Sequence, residues 1–193
     1  MIISCKVPQD FPAGTYFRNG HGRFVADDGA KIAHMFDGDG LVNAITFDPE
    51  NHPNQLLFRN RFVRTKGYQT DILTKTMSAR GVFGTMRSGG VLNNAFRLDC
   101  KNVANTNVLY SSESNSMDKK GKLYALWEGG RPHALDPLTL ETDVAGESTL
   151  HGILEKEKEF SAHPRWDPEN KVWINFGSVV NPIDNVTKVI FFI

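Results

Sequence analysis

The residues of this sequence that could do chemistry are its histidines and one unusually placed glutamate. Six histidines are spread along the chain, at His21, His34, His52, His133, His151 and His163. None has the short spacing of an HxH or HExxH metal motif, and Cys5 and Cys100 are too far apart in sequence for a CxxC pair. Local spacing therefore identifies no metal site, and a single histidine of this kind is most often a surface or core residue.

Glu128 has a sequence context that singles it out from the other carboxylates. It follows the apolar run Lys122–Trp127 and precedes Gly129 and Gly130. A carboxylate on an inward face would be costly without a partner, because burial disfavours an unpaired charge. Two interpretations therefore stay open at this point, a solvent-facing strand end and a paired carboxylate.

Other motifs with a known chemical role are missing from the sequence. It contains no GxSxG nucleophile elbow, no Walker loop and no dinucleotide-binding fingerprint. The run Asp37–Gly40 partly resembles a glycine-rich loop, but a tight turn explains it better, because glycine accepts positive φ without strain. We therefore expect a turn at Asp37–Gly40 that leads directly into a strand.

Strand patterns dominate the elements that must position these residues. Short runs rich in β-branched, aromatic and leucine residues, bounded by Gly, Pro, Asn or Asp, are predicted as strands. They lie at Gly14–Arg18, Val42–Phe47, Leu56–Arg64, Asn105–Tyr110, Lys122–Trp127, Val172–Phe176 and, at a sheet edge, Lys188–Ile193. Both faces of Lys122–Trp127 are largely apolar, which predicts a strand covered on both sides. Two short helices are predicted at Asp71–Arg80 and Thr149–Lys158.

Three predicted turns share an Asp-Pro signature, at Phe47–Asn51, Leu135–Pro137 and Trp166–Asn170. Proline presets φ for a turn, and the aspartate side chain bonds to the nearby backbone. Recurrent hairpins closed by one type of turn are typical of β-propeller blades, at about 40–50 residues per blade. A β-sandwich would contain similar turns, so the turns alone leave both architectures open.

Composition limits the class of protein. The chain has 193 residues, 40% of them hydrophobic, and equal numbers of acidic and basic residues, 22 of each. A packed core is therefore available, and the zero net charge argues against nucleic acid or an anionic membrane surface as the main partner. No signal peptide and no apolar run long enough to span a membrane is evident, and two cysteines suggest a reducing compartment. We expect residues 1–193 to form a single domain.

Seven sequence blocks, in order along the chain, resemble the carotenoid cleavage oxygenases. They are Phe17–Gly20, His34–Gly40, Phe58–Thr65, Asn102–Val108, Leu123–Gly130, Pro132–Thr142 and Phe160–Pro168. Each block is moderately specific, and their common order makes the resemblance highly specific. It implies an all-β fold, part of a seven-bladed β-propeller with only the first blades present and few short helices.

The resemblance also implies a reaction and its participants. Family members hold Fe(II) on the propeller axis with four histidines from separate blades, and glutamates support three of these histidines. Neutral imidazoles suit Fe(II), and each needs an outer partner that fixes its tautomer. The implied enzyme is a non-haem iron dioxygenase that cleaves a conjugated double bond of a carotenoid or apocarotenoid with O2 to give carbonyl products.

Individual residues take roles from this resemblance. His163 matches the first iron ligand and is expected on an inner strand that begins a blade. Glu128 matches the first supporting glutamate, whose histidine lies downstream, and both side chains should face the propeller axis. Phe36, Phe83 and Trp127 match residues that line the apolar substrate tunnel, although core packing is an equally good explanation of each.

Two further residues of these blocks invite comparison. His34 is interpreted as structural, and His21 stands where the family usually has a proline, which is expected to alter a loop. The chain holds one of the four implied iron ligands, which makes it resemble the N-terminal part of an oxygenase. The alternative is a truncated, inactive propeller fragment that acts at most as a binding module. A peripheral membrane contact of the full-length protein and its compartment, a plastid included, stay open.

Overall fold

The structure of this chain, a computed structural model, describes residues 1–4, 6–95, 99–111, 121–150, 152, 154, 159–170, 172–181 and 186–192. Most of the regular secondary structure among these residues consists of antiparallel strands in three successive sheets, and the helices are few and short. Among the described residues, no helix is both long enough and apolar enough to cross a membrane.

The first sheet is built around its longest strand. It contains β1 (Ile2–Ser4), β2 (Gly14–Arg18), β3 (His21–Gly22), β4 (Asp39–Phe47) and β5 (Gln55–Phe62). Strand β4 lies between β5 and β2 and also pairs with the short β3, all antiparallel. The connection to the next sheet carries two helices, α1 (Lys66–Thr74) and α2 (Gly90–Asn94).

The second and third sheets follow in chain order and are simple meanders. The second has the order β6 (Asn107–Ser111), β7 (Lys122–Leu126), β8 (His133–Leu135) and β9 (Thr142–Glu147). The third has the order β10 (Arg165–Asp167), β11 (Val172–Asn181) and β12 (Val186–Phe192). Every pairing within them is antiparallel.

Strand β7 has both faces buried, as its apolar sequence predicts. Leu123 and Ala125 point to one side, and Tyr124 and Leu126 point to the other. The first pair packs in a core with Val42, Ala44, Val63, Ala104, Leu135 and Leu140. The second pair packs in a core with Leu109, Ala134, Leu154, Phe160 and Ala162. The middle sheet is therefore packed between the other two, as a blade of a propeller is.

These observations confirm the expected fold class, an all-β chain that forms part of a β-propeller. The Asp-Pro turns behave as predicted, and one lies in each sheet. The side-chain oxygens of Asp48, Asp136 and Asp167 accept backbone N–H bonds from residues two or three positions further along the chain. Each turn closes a hairpin, β4–β5, β8–β9 or β10–β11.

The helix predictions were less accurate than the strand predictions. The first helix begins at Lys66 and ends at Thr74, whereas Asp71–Arg80 was predicted. Thr65 explains the early start, because its hydroxyl caps the helix by accepting a bond from the Tyr68 N–H at 3.1 Å. Helix α2 was not predicted, and the predicted helix Thr149–Lys158 falls largely outside the described residues.

The expected tight turn at Asp37–Gly40 was wrong. Gly38 has extended backbone angles, and Asp39 and Gly40 already belong to β4. Both glycines are explained by close packing, because a Cβ at Gly40 would lie 2.2 Å from the Ala104 carbonyl oxygen. A Cβ at Gly38 would lie 2.8 Å from the Gly22 carbonyl oxygen, so backbone segments meet here without room for side chains.

A buried ionic cluster fixes the start of β4 against α1. The Lys101 Nζ lies 2.8 Å from Asp39 Oδ1 and 2.8 Å from Asp71 Oδ2, and Arg23 lies 3.6 Å from the same Asp71 oxygen. All four side chains are at most 9% exposed, so each charge depends on its partners. Desolvation raises the pKa of Asp39, although Lys101 opposes this.

His133 is a buried histidine in β8 that takes no part in the cavity described below. It is 2% exposed, and its Nδ1 has no hydrogen-bond partner among the described residues. Desolvation lowers the pKa of His133 from 6.5 to about 4, against a smaller raising effect of Glu147. The folded protein therefore holds this imidazole neutral at pH values where the unfolded chain protonates it.

This pKa predicts acid sensitivity with a defined window. As pH falls from 6.5 towards about 4, the unfolded chain binds the proton first, so stability decreases. The loss approaches about 3 kcal/mol, since each pKa unit corresponds to about 1.4 kcal/mol. Urea unfolding at several pH values should show this slope in the wild type and a shallower one in His133→Leu. The same change at exposed His52 should leave the slope unchanged, and equal slopes in all three proteins would contradict the prediction.

Candidate active site

One cavity brings together all five residues that the sequence suggested for a site. Its volume is about 470 Å³, and His163, Glu128, Trp127, Phe36 and Phe83 all line it. They come from the short turn before β4, the segment between α1 and α2, the turn after β7 and the segment before β10. Residues far apart in sequence therefore converge, and the arrangement places an imidazole and a carboxylate beside aromatic rings.

His163 and Glu128 are in direct contact. The His163 Nε2 lies 2.8 Å from Glu128 Oε1, and the two side chains are 64% and 48% exposed. Both interpretations of Glu128 are partly correct, because its carboxylate is exposed to solvent and is also paired with His163. The expectation that His163 lies within a strand was wrong, because β10 begins only at Arg165.

The turn after β7 holds Glu128 in place. A Cβ at Gly129 would lie 3.0 Å from the Trp127 ring, and one at Gly130 would lie 2.4 Å from the Asn102 amide. The carbonyl of Gly130 also accepts a bond from the Phe160 N–H at 3.2 Å. A side chain at position 130 would therefore clash, and one at position 129 would crowd the indole, because the turn packs tightly against its neighbours.

The backbone before His163 is clamped from two sheets. Asn107 of β6 donates from Nδ2 to the Ala162 carbonyl at 2.8 Å, and Asn175 of β11 donates to the Ser161 carbonyl at 2.8 Å. The Ser161 hydroxyl in turn accepts a bond from the His163 N–H at 3.2 Å. Ser161 and Ala162 are buried, so this clamp determines where the exposed imidazole leaves the backbone.

A buried aspartate positions the aromatic wall. Asp37 accepts bonds from the Phe83 and Thr85 N–H groups at 2.9 and 3.1 Å. The Phe36 and Phe83 rings meet edge to face, 5.5 Å apart. A Cβ at Gly81 would lie 2.2 Å from the Asp37 carboxyl carbon, which explains a glycine beside it.

His34 has a structural position, as the sequence suggested. Its Nδ1 accepts a bond from the Phe36 N–H at 3.2 Å and caps the short 3₁₀ turn Met35–Asp37. Asn105, which no sequence argument had singled out, donates to the carbonyls of Phe36 and Gly38 at 2.8 and 2.7 Å. Asn105 belongs to the Asn102–Val108 block, but its type gave no sign of this contact with the first sheet.

The described residues do not complete a metal site. In the parts of the chain that the structure describes, no three or more His, Cys, Asp or Glu side chains form a group that could hold a metal ion. His163 offers one imidazole, and its neighbour Glu128 offers a carboxylate. One imidazole with one carboxylate fits part of an iron site and not the whole of it.

Comparison with known proteins decides the family. The model of the retinal pigment epithelial membrane protein family matches residues 2–192. The chain belongs to this family, the carotenoid oxygenases. The Synechocystis apocarotenoid-15,15'-oxygenase is 42% identical over 166 residues, which are 86% of this chain and 31% of that protein. The rice carotenoid cleavage dioxygenase 7 is 37% identical over 144 residues, 73% of this chain and 22% of that protein.

The solved structures agree with the fold. The crystal structure of cobalt-substituted Synechocystis ACO superposes on this oxygenase-family chain with a TM-score of 0.77 at 33% identity. The superposition covers 100% of this chain and 41% of that one. The chain thus spans less than half the length of the proteins it matches.

The clamp predicts a measurable effect on stability. Asn107→Leu removes the donor to the Ala162 carbonyl, and a buried acceptor left without a partner costs about 1–3 kcal/mol. Urea unfolding should show a loss of this size. Asn51 also donates through its amide, but its bond to Asp48 is exposed to solvent, so Asn51→Ala should change the free energy of unfolding by less than about 0.5 kcal/mol. Equal losses of unfolding free energy in the two variants would contradict a specific stabilising role of the Asn107 bond.

Proposed function

We propose that residues 1–193 form one domain, the N-terminal part of an Fe(II)-dependent dioxygenase that cleaves a conjugated double bond of a carotenoid or apocarotenoid. The reaction adds the two atoms of O2 to the two carbons of one double bond, which is replaced by two carbonyl groups. The alternative is a truncated, inactive fragment that acts at most as a binding module.

The observation that carries this proposal is the contact between His163 and Glu128 at one side of an aromatic cavity. The 2.8 Å contact gives the imidazole the carboxylate neighbour that metal-binding histidines commonly have. Phe36, Phe83 and Trp127 add apolar surface along the same cavity. An apolar wall with a few placed polar groups suits a long conjugated hydrocarbon.

Iron would take His163 as one of its ligands. The described residues provide no complete set, so under this proposal the other imidazoles come from a longer protein that includes this chain. Support comes from the cobalt-substituted relative, since a protein whose metal can be replaced by cobalt has a metal site. The carboxylate of Glu128 would orient an imidazole and hold its proton, which raises the basicity of a histidine ligand.

The cavity and the relatives both support the proposed substrate class. The relative at 42% identity is named for apocarotenoids, and the one at 37% identity is named for carotenoid cleavage. The rings of Phe36 and Phe83 meet edge to face and give the cavity an aromatic, apolar wall. Conjugated chains are flat and apolar, so they can lie along such rings with little loss of conformational entropy.

Iron content tests the proposal directly. The purified 193-residue chain should contain far less than one iron per molecule, because one imidazole cannot replace a full ligand set. A longer protein that includes the chain should contain about one iron, and His163→Ala should abolish both iron binding and polyene cleavage. His52→Ala is the matched control and should keep both. Full iron occupancy in the short chain, or undiminished cleavage by His163→Ala, would overturn the assignment.

The role of Glu128 gives a second, graded prediction. Glu128→Gln in the longer protein should weaken metal affinity or activity by about 10–100-fold, the usual effect of losing an outer partner of a ligand. Metal affinity is measured by competition with a chelator. Glu141 forms a surface ion pair with Arg61 away from the cavity, and Glu141→Gln should have no effect. Identical affinities for wild type and Glu128→Gln would exclude a supporting role for this carboxylate.

A further inference from the structure

His21 occupies a defined place in the wall of the same cavity. It lies in β3, where His21 pairs with Gly40 of β4, and its side chain lines the cavity together with His163 and Glu128. Its ring stacks on Phe36 with centroids 5.0 Å apart and an angle of 28° between the planes. The imidazole is therefore fixed by backbone pairing on one side and by a ring contact on the other.

The carboxylate, amide and hydroxyl side chains of the cavity wall already have partners. Glu128 pairs with His163, and the Asn105 amide donates to two backbone carbonyls. The Thr106 hydroxyl bonds to Asn105 Oδ1 at 3.2 Å, and Glu159 has an interaction of its own. Within the described part of the chain, the His21 imidazole makes no hydrogen bond with another described residue, so its two nitrogens are available to a ligand.

The charge state of His21 fits a neutral hydrogen-bonding role. Partial burial lowers the pKa of His21, and the nearby His34 lowers it further. The imidazole is thus mainly neutral near pH 7, with one nitrogen that donates and one that accepts. A hydroxyl group can match both, because it also donates and accepts.

We propose that His21 is a polar subsite that binds a hydroxyl group carried by an otherwise apolar, conjugated ligand, while the aromatic wall holds the conjugated part. The proposal rests on the proposed function, because it assigns a specificity role within that cavity. The proposed ligand is a hydroxylated conjugated compound, which should bind more tightly than the hydrocarbon without the hydroxyl. A stacked ring beside a free imidazole suits this pairing, since the flat part of the ligand can lie along Phe36 and Phe83 as its hydroxyl meets His21.

Two matched probes test the subsite on the chain as it exists. Trans-stilbene and trans-4-hydroxystilbene differ by one hydroxyl, and their binding is measured by quenching of tryptophan emission, to which Trp127 in the wall contributes. The wild type should bind the hydroxylated probe more tightly. His21→Phe keeps an aromatic ring over Phe36 but removes both nitrogens, so it should weaken binding of trans-4-hydroxystilbene about 2–10-fold. Binding of trans-stilbene should change less than about 2-fold.

Two further variants complete the design. His21→Gln restores a donor and an acceptor and should recover part of the preference for the hydroxylated probe. His52→Phe makes the same exchange at an exposed site outside this cavity and should leave both affinities unchanged. If His21→Phe changes the affinities for both probes equally, or changes neither, the proposed subsite is wrong. The proposal of an apolar substrate cavity is not affected by that result. If the wild type binds neither probe, the proposed substrate cavity fails, and the subsite fails with it.

Discussion

The arrangement of the sheets depends on asparagine amides that reach from one sheet to the backbone of the next. Asn19, which follows β2, donates to the Ala104 and Asn107 carbonyls at 2.7 and 3.0 Å. Asn107 then donates to the Ala162 carbonyl at the entry to the third sheet. The Ala104 and Ala162 carbonyls lie outside the strands, so strand pairing does not satisfy them and each needs another donor. The amide is suited to this because it carries two donors and no charge to desolvate.

The candidate site inherits its geometry from these junctions. The imidazole and its carboxylate neighbour are both exposed, so packing around their side chains does not determine their separation. The backbone does, since Glu128 leaves the end of β7 and His163 leaves a segment held by Asn107 and Asn175. On the other wall, Asn105 holds the carbonyl of Phe36. The positions of the cavity residues therefore depend on hydrogen bonds from asparagine side chains to backbone carbonyls.

The sequence predicted the regular parts of this architecture and missed the parts where segments touch. Alternating or continuous apolar runs identified strands such as Lys122–Trp127, because burial acts on each residue separately. The Asp-Pro turns were predictable for a similar reason, because each aspartate bonds to backbone only two or three residues further along the chain. Gly38 and Gly40 were misread as a turn, because the contacts that require them are distant in the chain: the Gly22 carbonyl for Gly38 and the Ala104 carbonyl for Gly40. Likewise the roles of Asn105 and Asn107 depend on partners that no local pattern contains. The five cavity residues were found through the family resemblance, and spacing alone would not have joined them.

The two apolar faces of strand β7 become buried at different times while the chain is synthesised. The side that carries Leu123 and Ala125 meets residues that precede it, apart from Leu135 and Leu140, so the ribosome has only to deliver β8 and its turn before this side is covered. The side that carries Tyr124 and Leu126 waits for Phe160 and Ala162. For the time needed to translate those residues, about 2–7 s at 5–20 residues per second, the nascent middle sheet presents an apolar surface to solvent or to a chaperone.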